Sequence, residues 1–162
     1  MPTAHLICGP TGAGKTTYAI ALAARTHAVR FSVEQWVAAL FGRDKPERPT
    51  LEWALDRAGR CEKQMWMIAS QVLTAGTSVV LDLGLPLAED RDRWRAQVAG
   101  TIAESKLHYL DVSREIRRAR IRERNRVDSS LEVSETLFDR LDSRFESPTD
   151  DELYGAMIVC EE

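Results

Sequence analysis

The stretch GPTGAGKTT, residues 9–17, decides how this chain is read. It follows a short apolar run, AHLIC (4–8), which Gly9 and Pro10 stop, and it precedes an alanine-rich stretch, YAIALAAR (18–25). Gly9, Gly14, Lys15 and Thr16 complete the pattern G-x-x-x-x-G-K-[ST], placed between a buried strand and a helix as that pattern requires. Consecutive backbone N–H groups must curl around a phosphate, and side chains at the glycines would obstruct them. The candidate cradle is therefore Gly9, Pro10, Thr11, Gly12, Ala13, Gly14, Lys15, Thr16 and Thr17. Lys15 is expected on the β- and γ-phosphates and the Thr16 hydroxyl on Mg²⁺. The helix that begins here adds its positive N-terminal end.

Working outward, short strands alternate with helices. The strand candidates are 4–8, 29–33, 78–84, 106–112 and 156–160. The helix candidates are 15–25, 34–42, 51–74, 88–99, 114–126 and 133–145. In 51–74, Leu51, Leu55, Ala58, Met65, Ala69 and Val72 recur three and four apart and so predict one apolar face. This alternation implies an α/β fold of three layers, a mostly parallel five-stranded sheet with helices on both faces. Ligands then gather at the carboxyl ends of the strands. The glycine loop, Ser32–Glu34, Asp82–Gly84 and the start of 114–126 converge there.

Bulk properties narrow the class. The chain has 162 residues, 44% hydrophobic and 29% charged, with a formal net charge of −3. That is one domain, 1–162, with enough chain for a core. The charge gives no reason to expect a nucleic-acid or membrane surface over the whole molecule. No apolar run reaches the ~20 residues of a membrane span, and the N-terminus lacks a basic start, so a cytoplasmic protein is expected. Cys8, Cys61 and Cys160 are odd in number and unpaired in spacing, which suggests buried thiols in a reducing compartment. His5, His27 and His108 show no ligand-like grouping and read as structural.

Three further features carry more than one reading each. Asp82 ends the run VVLD, where a carboxylate would meet Mg²⁺ or cap the following helix. Glu34 opens a helix across the cleft from the glycine loop; it suits a general base for a substrate hydroxyl, or merely matches the helix dipole. REIRRARIRERN (114–125) holds six arginines, read as a solvated face, a nucleic-acid patch or a phosphoryl clamp. For the clamp, Arg120 and Arg124 lie four apart on one face.

With GPTGAGKTT, RFSVEQW, GTSVVLDLGL, EDRDRWR, LDVSREIRRARIRERN and FESPTDDE in hand, the chain resembles small bacterial P-loop kinase-like ATP-binding proteins of an AAA-type family. Their relatives include zeta toxins, chloramphenicol phosphotransferase, gluconate and shikimate kinases and the polynucleotide kinase domain. The resemblance implies ATP and Mg²⁺, a lid at about 114–132 whose Arg120 and Arg124 close over the nucleotide, and an adenine loop from Phe145 to Pro148. Glu34 falls where relatives usually carry an Asp base. Arg57, Arg60 and Arg91 lie in segments that face the acceptor in similar kinases. The implied reaction transfers the γ-phosphoryl of ATP to a small-molecule hydroxyl. A 5′-hydroxyl nucleic-acid kinase and a nucleotide-gated binding protein with slow hydrolysis are the alternatives. Monomer and homodimer are both compatible.

Overall fold

A computed structural model of the chain describes residues 1–127 and 132–161. Among the described residues, five strands form one sheet: β1 (Thr3–Cys8), β2 (Val29–Ser32), β3 (Val79–Gly84), β4 (Glu104–Val112) and β5 (Met157–Glu161). Their order is β2-β3-β1-β4-β5 and every pair is parallel. The chain leaves β1 toward one edge for β2 and β3, then returns past β1 to add β4 and β5. The carboxyl end of β1 is thus a topological switch point, the usual place for a ligand in such a sheet.

The helices are α1 (Lys15–Thr26), α2 (Val33–Phe41), α3 (Leu51–Thr74), α4 (Ala88–Ala99), α5 (Arg114–Val127), α6 (Glu135–Arg144) and α7 (Asp150–Leu153). Two apolar clusters cover the two faces of the sheet. One joins Ile7, Val80, Leu110 and Val112 to Ala19 and Leu22 of α1. The other joins Leu6, Phe31, Leu81 and Tyr109 to Met65, Ala69 and Leu73 of α3 and to Trp94 and Val98 of α4. Strands covered on both faces read as continuous apolar runs, and VVL in β3 is one of these.

The expected α/β three-layer fold is present, with a sheet parallel throughout. Helix α3 spans the expected 51–74, but its buried stripe is Cys61, Met65, Ala69 and Leu73. Leu55 lies off that stripe and is half exposed, because the buried positions repeat every four residues and Leu55 falls two short of the row. Gly76 ends α3 at φ 87°, a conformation open to glycine. A short 3₁₀ turn (Gly42–Asp44) and α7 were not legible in the sequence. Cys8 and Cys61 are buried, whereas Cys160 is exposed on the edge strand β5, contrary to the expectation of three buried thiols. Among the described residues no helix is long and apolar enough to cross a membrane.

Candidate functional site

The glycine loop runs from the end of β1 into α1. Gly12 and Gly14 adopt φ 82° and 88°, which a side chain would strain. Gly12 has a second reason to lack a Cβ: one would lie 2.8 Å from the Arg117 carbonyl oxygen. Gly14 caps α1 without a side-chain hydrogen bond, so the first N–H groups of the helix stay available. Gly9 N–H donates to Gly84 O at 3.3 Å, fastening the loop to the end of β3. Lys15 Nζ donates to the Pro10 carbonyl at 2.9 Å, so the lysine folds back over its own loop. Burial pulls the Lys15 pKa down, while the nearby charges of Glu34 and Asp82 push it up.

Asp82 is 5% exposed at the end of β3. Burial raises its pKa, opposed by a hydrogen bond from Thr16 and by Arg30. Helix α4 takes Leu87 as its N-cap with no side-chain cap, so Asp82 does not perform the capping role weighed for it. Thr16 and Asp82 thus form one hydroxyl–carboxylate pair beside the loop. That all-oxygen set suits Mg²⁺, which takes one or two protein oxygens plus phosphates and water. No group of three or more His, Cys, Asp or Glu that could hold a metal occurs among the described residues.

Glu34 lies in the first turn of α2, which Ser32 caps by accepting from Gln35 N–H at 3.5 Å. It is exposed rather than buried in an ion pair, and its charge acts on both Lys15 and Asp82. Lys15 and Thr16 after β1, Glu34 after β2 and Asp82 on β3 therefore lie on the carboxyl-end side of the one parallel sheet.

Helix α5 divides its arginines by face. Arg120 Nη1 donates to Ala13 O at 3.3 Å, on the glycine loop. Arg124 is exposed. The outer row Arg114, Arg118 and Arg122 pairs with α6: Arg114 with Asp139 and Asp142, Arg118 with Glu135 and Asp139, Arg122 with Glu135. That acidic face of α6 pairs with the outer row of the arginine run. Residues 128–131 of the expected lid lie outside the described residues.

Two arginines have a structural role. Arg117 is 6% exposed and donates to Val112 O and Thr11 O, pairs with Asp142 at 2.7 Å, and packs on the Phe138 ring. Arg91, carried as an acceptor-facing candidate, is instead fully buried. It binds Glu152 through two nitrogens and donates to Leu85 O and Glu146 O. Its charge is spent on holding segments together, which leaves none for a substrate. This pair also depresses the Glu152 pKa to about 2. Leu85, at φ 46° and 2% exposed, is kept in an unfavourable backbone conformation by those contacts. Arg57 and Arg60 pair with Asp56 on the α3 surface.

In the 145–148 loop, Phe145 stacks on Tyr109 with centroids 6.3 Å apart, Glu146 N–H donates to Pro86 O at 2.8 Å, and Pro148 is buried. Sequence reasoning did not single out Arg30, Arg117 or Glu152. Their signal is tertiary: each meets a partner far away in the chain.

Several solved structures share the fold. A protein provisionally assigned as a kinase, from Chloroflexus aurantiacus, superposes with a TM-score of 0.77 at 18% identity, over 99% of this chain and 84% of that one. Chaetomium thermophilum Kti12 in complex with ADP-AlF3 gives 0.70 at 15% identity, over 98% and 88%. The Mycobacterium tuberculosis APS kinase CysC in complex with AMPPNP and APS gives 0.67 at 13%, over 99% and 89%. No curated protein matches the sequence. Residues 5–148 match the family described as AAA domain. The chain belongs to that AAA domain family.

Proposed function

We propose that this protein is an ATP-dependent phosphotransferase acting on the hydroxyl of a small molecule. The observation that supports the reading is that Lys15 and Thr16 open α1 after β1, Glu34 lies in the first turn of α2 after β2, and Asp82 lies near the end of β3, all on the carboxyl-end side of one parallel sheet. The glycine loop, Gly9 to Thr17, would hold the phosphates, with Lys15 leaving Pro10 O to meet them. Thr16 and Asp82 would hold Mg²⁺, which when bound neutralises phosphate charge. Phe145 to Pro148 would border the base.

In the reaction, the acceptor oxygen forms its bond to the γ-phosphorus as the bond to the ADP oxygen breaks. Glu34 takes the acceptor proton, a contribution typically worth ~10²–10⁴ in rate. Lys15, Arg120 and Arg124 stabilise the charge that spreads over the transferring group. Glutamate reaches one methylene further than the aspartate of relatives, so the acceptor hydroxyl would sit correspondingly further from α2.

Two observations favour a small acceptor over a polynucleotide. The outer arginines of α5 are already paired with α6. The net charge of −3 adds no compensating basic groove. The experiment is ADP release measured against pools of sugars, nucleosides, antibiotics and 5′-hydroxyl oligonucleotides. Release stimulated by a small-molecule pool supports the proposal. Stimulation by oligonucleotides alone replaces it with nucleic-acid kinase activity, and unstimulated slow release with nucleotide-gated binding.

A further inference from the structure

Arg30 belongs to none of the roles assigned so far, yet it touches the site at two points. It sits on the edge strand β2, where the parallel register sets Arg30 opposite Val80 and Ser32 opposite Asp82. Val80 packs toward α1, so Arg30 and Asp82 leave the sheet on that same face, one diagonal apart. The guanidinium spans the diagonal. Nη1 lies 3.1 Å from Asp82 Oδ2, and Nη2 donates to Gln35 Oε1 at 2.7 Å. The two charged side chains are 16% and 5% exposed, so water screens this pair little.

The other end of each contact matters more. Thr16, in the first turn of α1, stands close enough to Asp82 to lower the pKa of its carboxyl. Gln35 stands in the first turn of α2, next to Glu34. The bonded chain Asp82–Arg30–Gln35, with Thr16 beside its first member, therefore joins the proposed phosphate end of the site to its acceptor end. The Ser32 cap of α2 is long, at 3.5 Å, so the 2.7 Å bond from Arg30 is the firmer hold on that turn. A rigid fork with two arms is needed for this bridge; lysine offers a point charge that reaches one partner at a time.

We propose that Arg30 is a positioning residue that couples the two ends of the cleft: when Thr16 and Asp82 are ordered by a nucleotide and its divalent cation, Arg30 orders the first turn of α2, and with it Glu34. The inference rests on the nucleotide and metal reading above. The coupling runs through rigidity, because fixing Asp82 removes freedom from Arg30, and fixing Arg30 removes it from Gln35. Glu34 is thereby aimed only once the phosphoryl donor is in place, which limits transfer to water.

Hydrogen–deuterium exchange with Mg²⁺ and ADP tests it. In the wild-type protein, Mg·ADP slows exchange several-fold both in a peptide covering residues 9–17 and in one covering 33–41. In Arg30→Lys and in Gln35→Ala, the first protection persists and the second is lost. Gln35 is exposed and its cap contact uses the backbone, so the second variant keeps its fold even if the first does not. Equal protection of 33–41 in both variants, or none in the wild type while 9–17 is protected, overturns the coupling. Absence of protection at 9–17 in the wild type instead overturns the nucleotide reading, and this inference with it.

Discussion

Arg117 donates from Nη1 to the Thr11 carbonyl at 3.2 Å, so the glycine loop and the arginine-rich helix are fastened together across 106 positions of sequence. The same nitrogen lies 2.7 Å from Asp142 of α6, and the guanidinium packs on Phe138. Removing it leaves the Asp142 carboxylate with Arg114 as its remaining partner and frees two backbone carbonyls. Breaking a buried pair typically costs roughly 3–5 kcal/mol, and with Asp142 19% exposed the lower end of that range applies. Urea denaturation of Arg117→Met should show this loss, together with weakened nucleotide binding. A stability equal to wild type would assign Arg117 to the solvated face.

Lys15→Ala should leave the fold intact, because its nitrogen makes its bond within its own loop. The wild-type protein should be stabilised by Mg·ATP in proportion to occupancy, by about 2.7 kcal/mol at a hundredfold excess over Kd. The variant should gain little. Thermal melts with and without ligand measure this, and an equal shift in both proteins would remove Lys15 from the phosphate site.

The α5–α6 ladder predicts a gain of function on its removal. Glu135→Gln with Asp139→Asn releases Arg118 and Arg122 from their partners and leaves Arg114 with Asp142. Such exposed pairs are worth about 0–1 kcal/mol each, so stability should fall little. Oligonucleotide binding, weak in the wild type, should rise and become steeply salt-dependent. Gel retardation at two salt concentrations would reveal it. Tight binding by the wild type would restore the nucleic-acid reading.

Acid should destabilise the protein through a buried histidine pair. His5 Nδ1 and His108 Nε2 lie 2.9 Å apart, and Tyr18 Oη is 2.8 Å from His108 Nδ1. Burial, aided by Lys106 and Arg25 and for His108 by His5, lowers both pKa values, to about 4 for His108. Between the unfolded value of 6.5 and about 4, the unfolded chain binds more protons than the folded one. Stability therefore rises with pH across that window and is lost as pH falls through it, at about 1.4 kcal/mol per pH unit for each proton. Urea unfolding at pH 7.5 and 5 should show the difference, and a flat profile would contradict the buried neutral pair.

What was legible in the sequence had local causes. The glycine loop, the apolar runs of β1 and β3 and the full span of α3 each follow from spacing within a few residues. Arg91 was misread for the opposite reason. Its segment pointed to an acceptor, but its role depends on Glu152, 61 positions away, and on the strained Leu85. Arg30 escaped notice because only the β2–β3 register sets it diagonal to Asp82. The arginine run stayed ambiguous until α6 supplied its acids. Long-range pairing decides such roles, and composition does not encode it.

Glu34 separates phosphoryl transfer from hydrolysis. An acceptor hydroxyl is a poor nucleophile at neutral pH, so a positioned base should contribute about 10²–10⁴ in rate. Glu34 follows β2 directly, in the first turn of α2, exposed and within the electrostatic reach of Lys15 and Asp82. Glu34→Gln keeps the shape and removes the base. Its match to the helix dipole is worth only ~0.3–1 kcal/mol, so folding should survive the change. Nucleotide affinity by calorimetry should remain close to wild type, while acceptor-stimulated ADP release should fall by at least about a hundredfold. If the only effect is a small loss of stability with turnover unchanged, Glu34 is a helix-dipole residue and the base lies elsewhere.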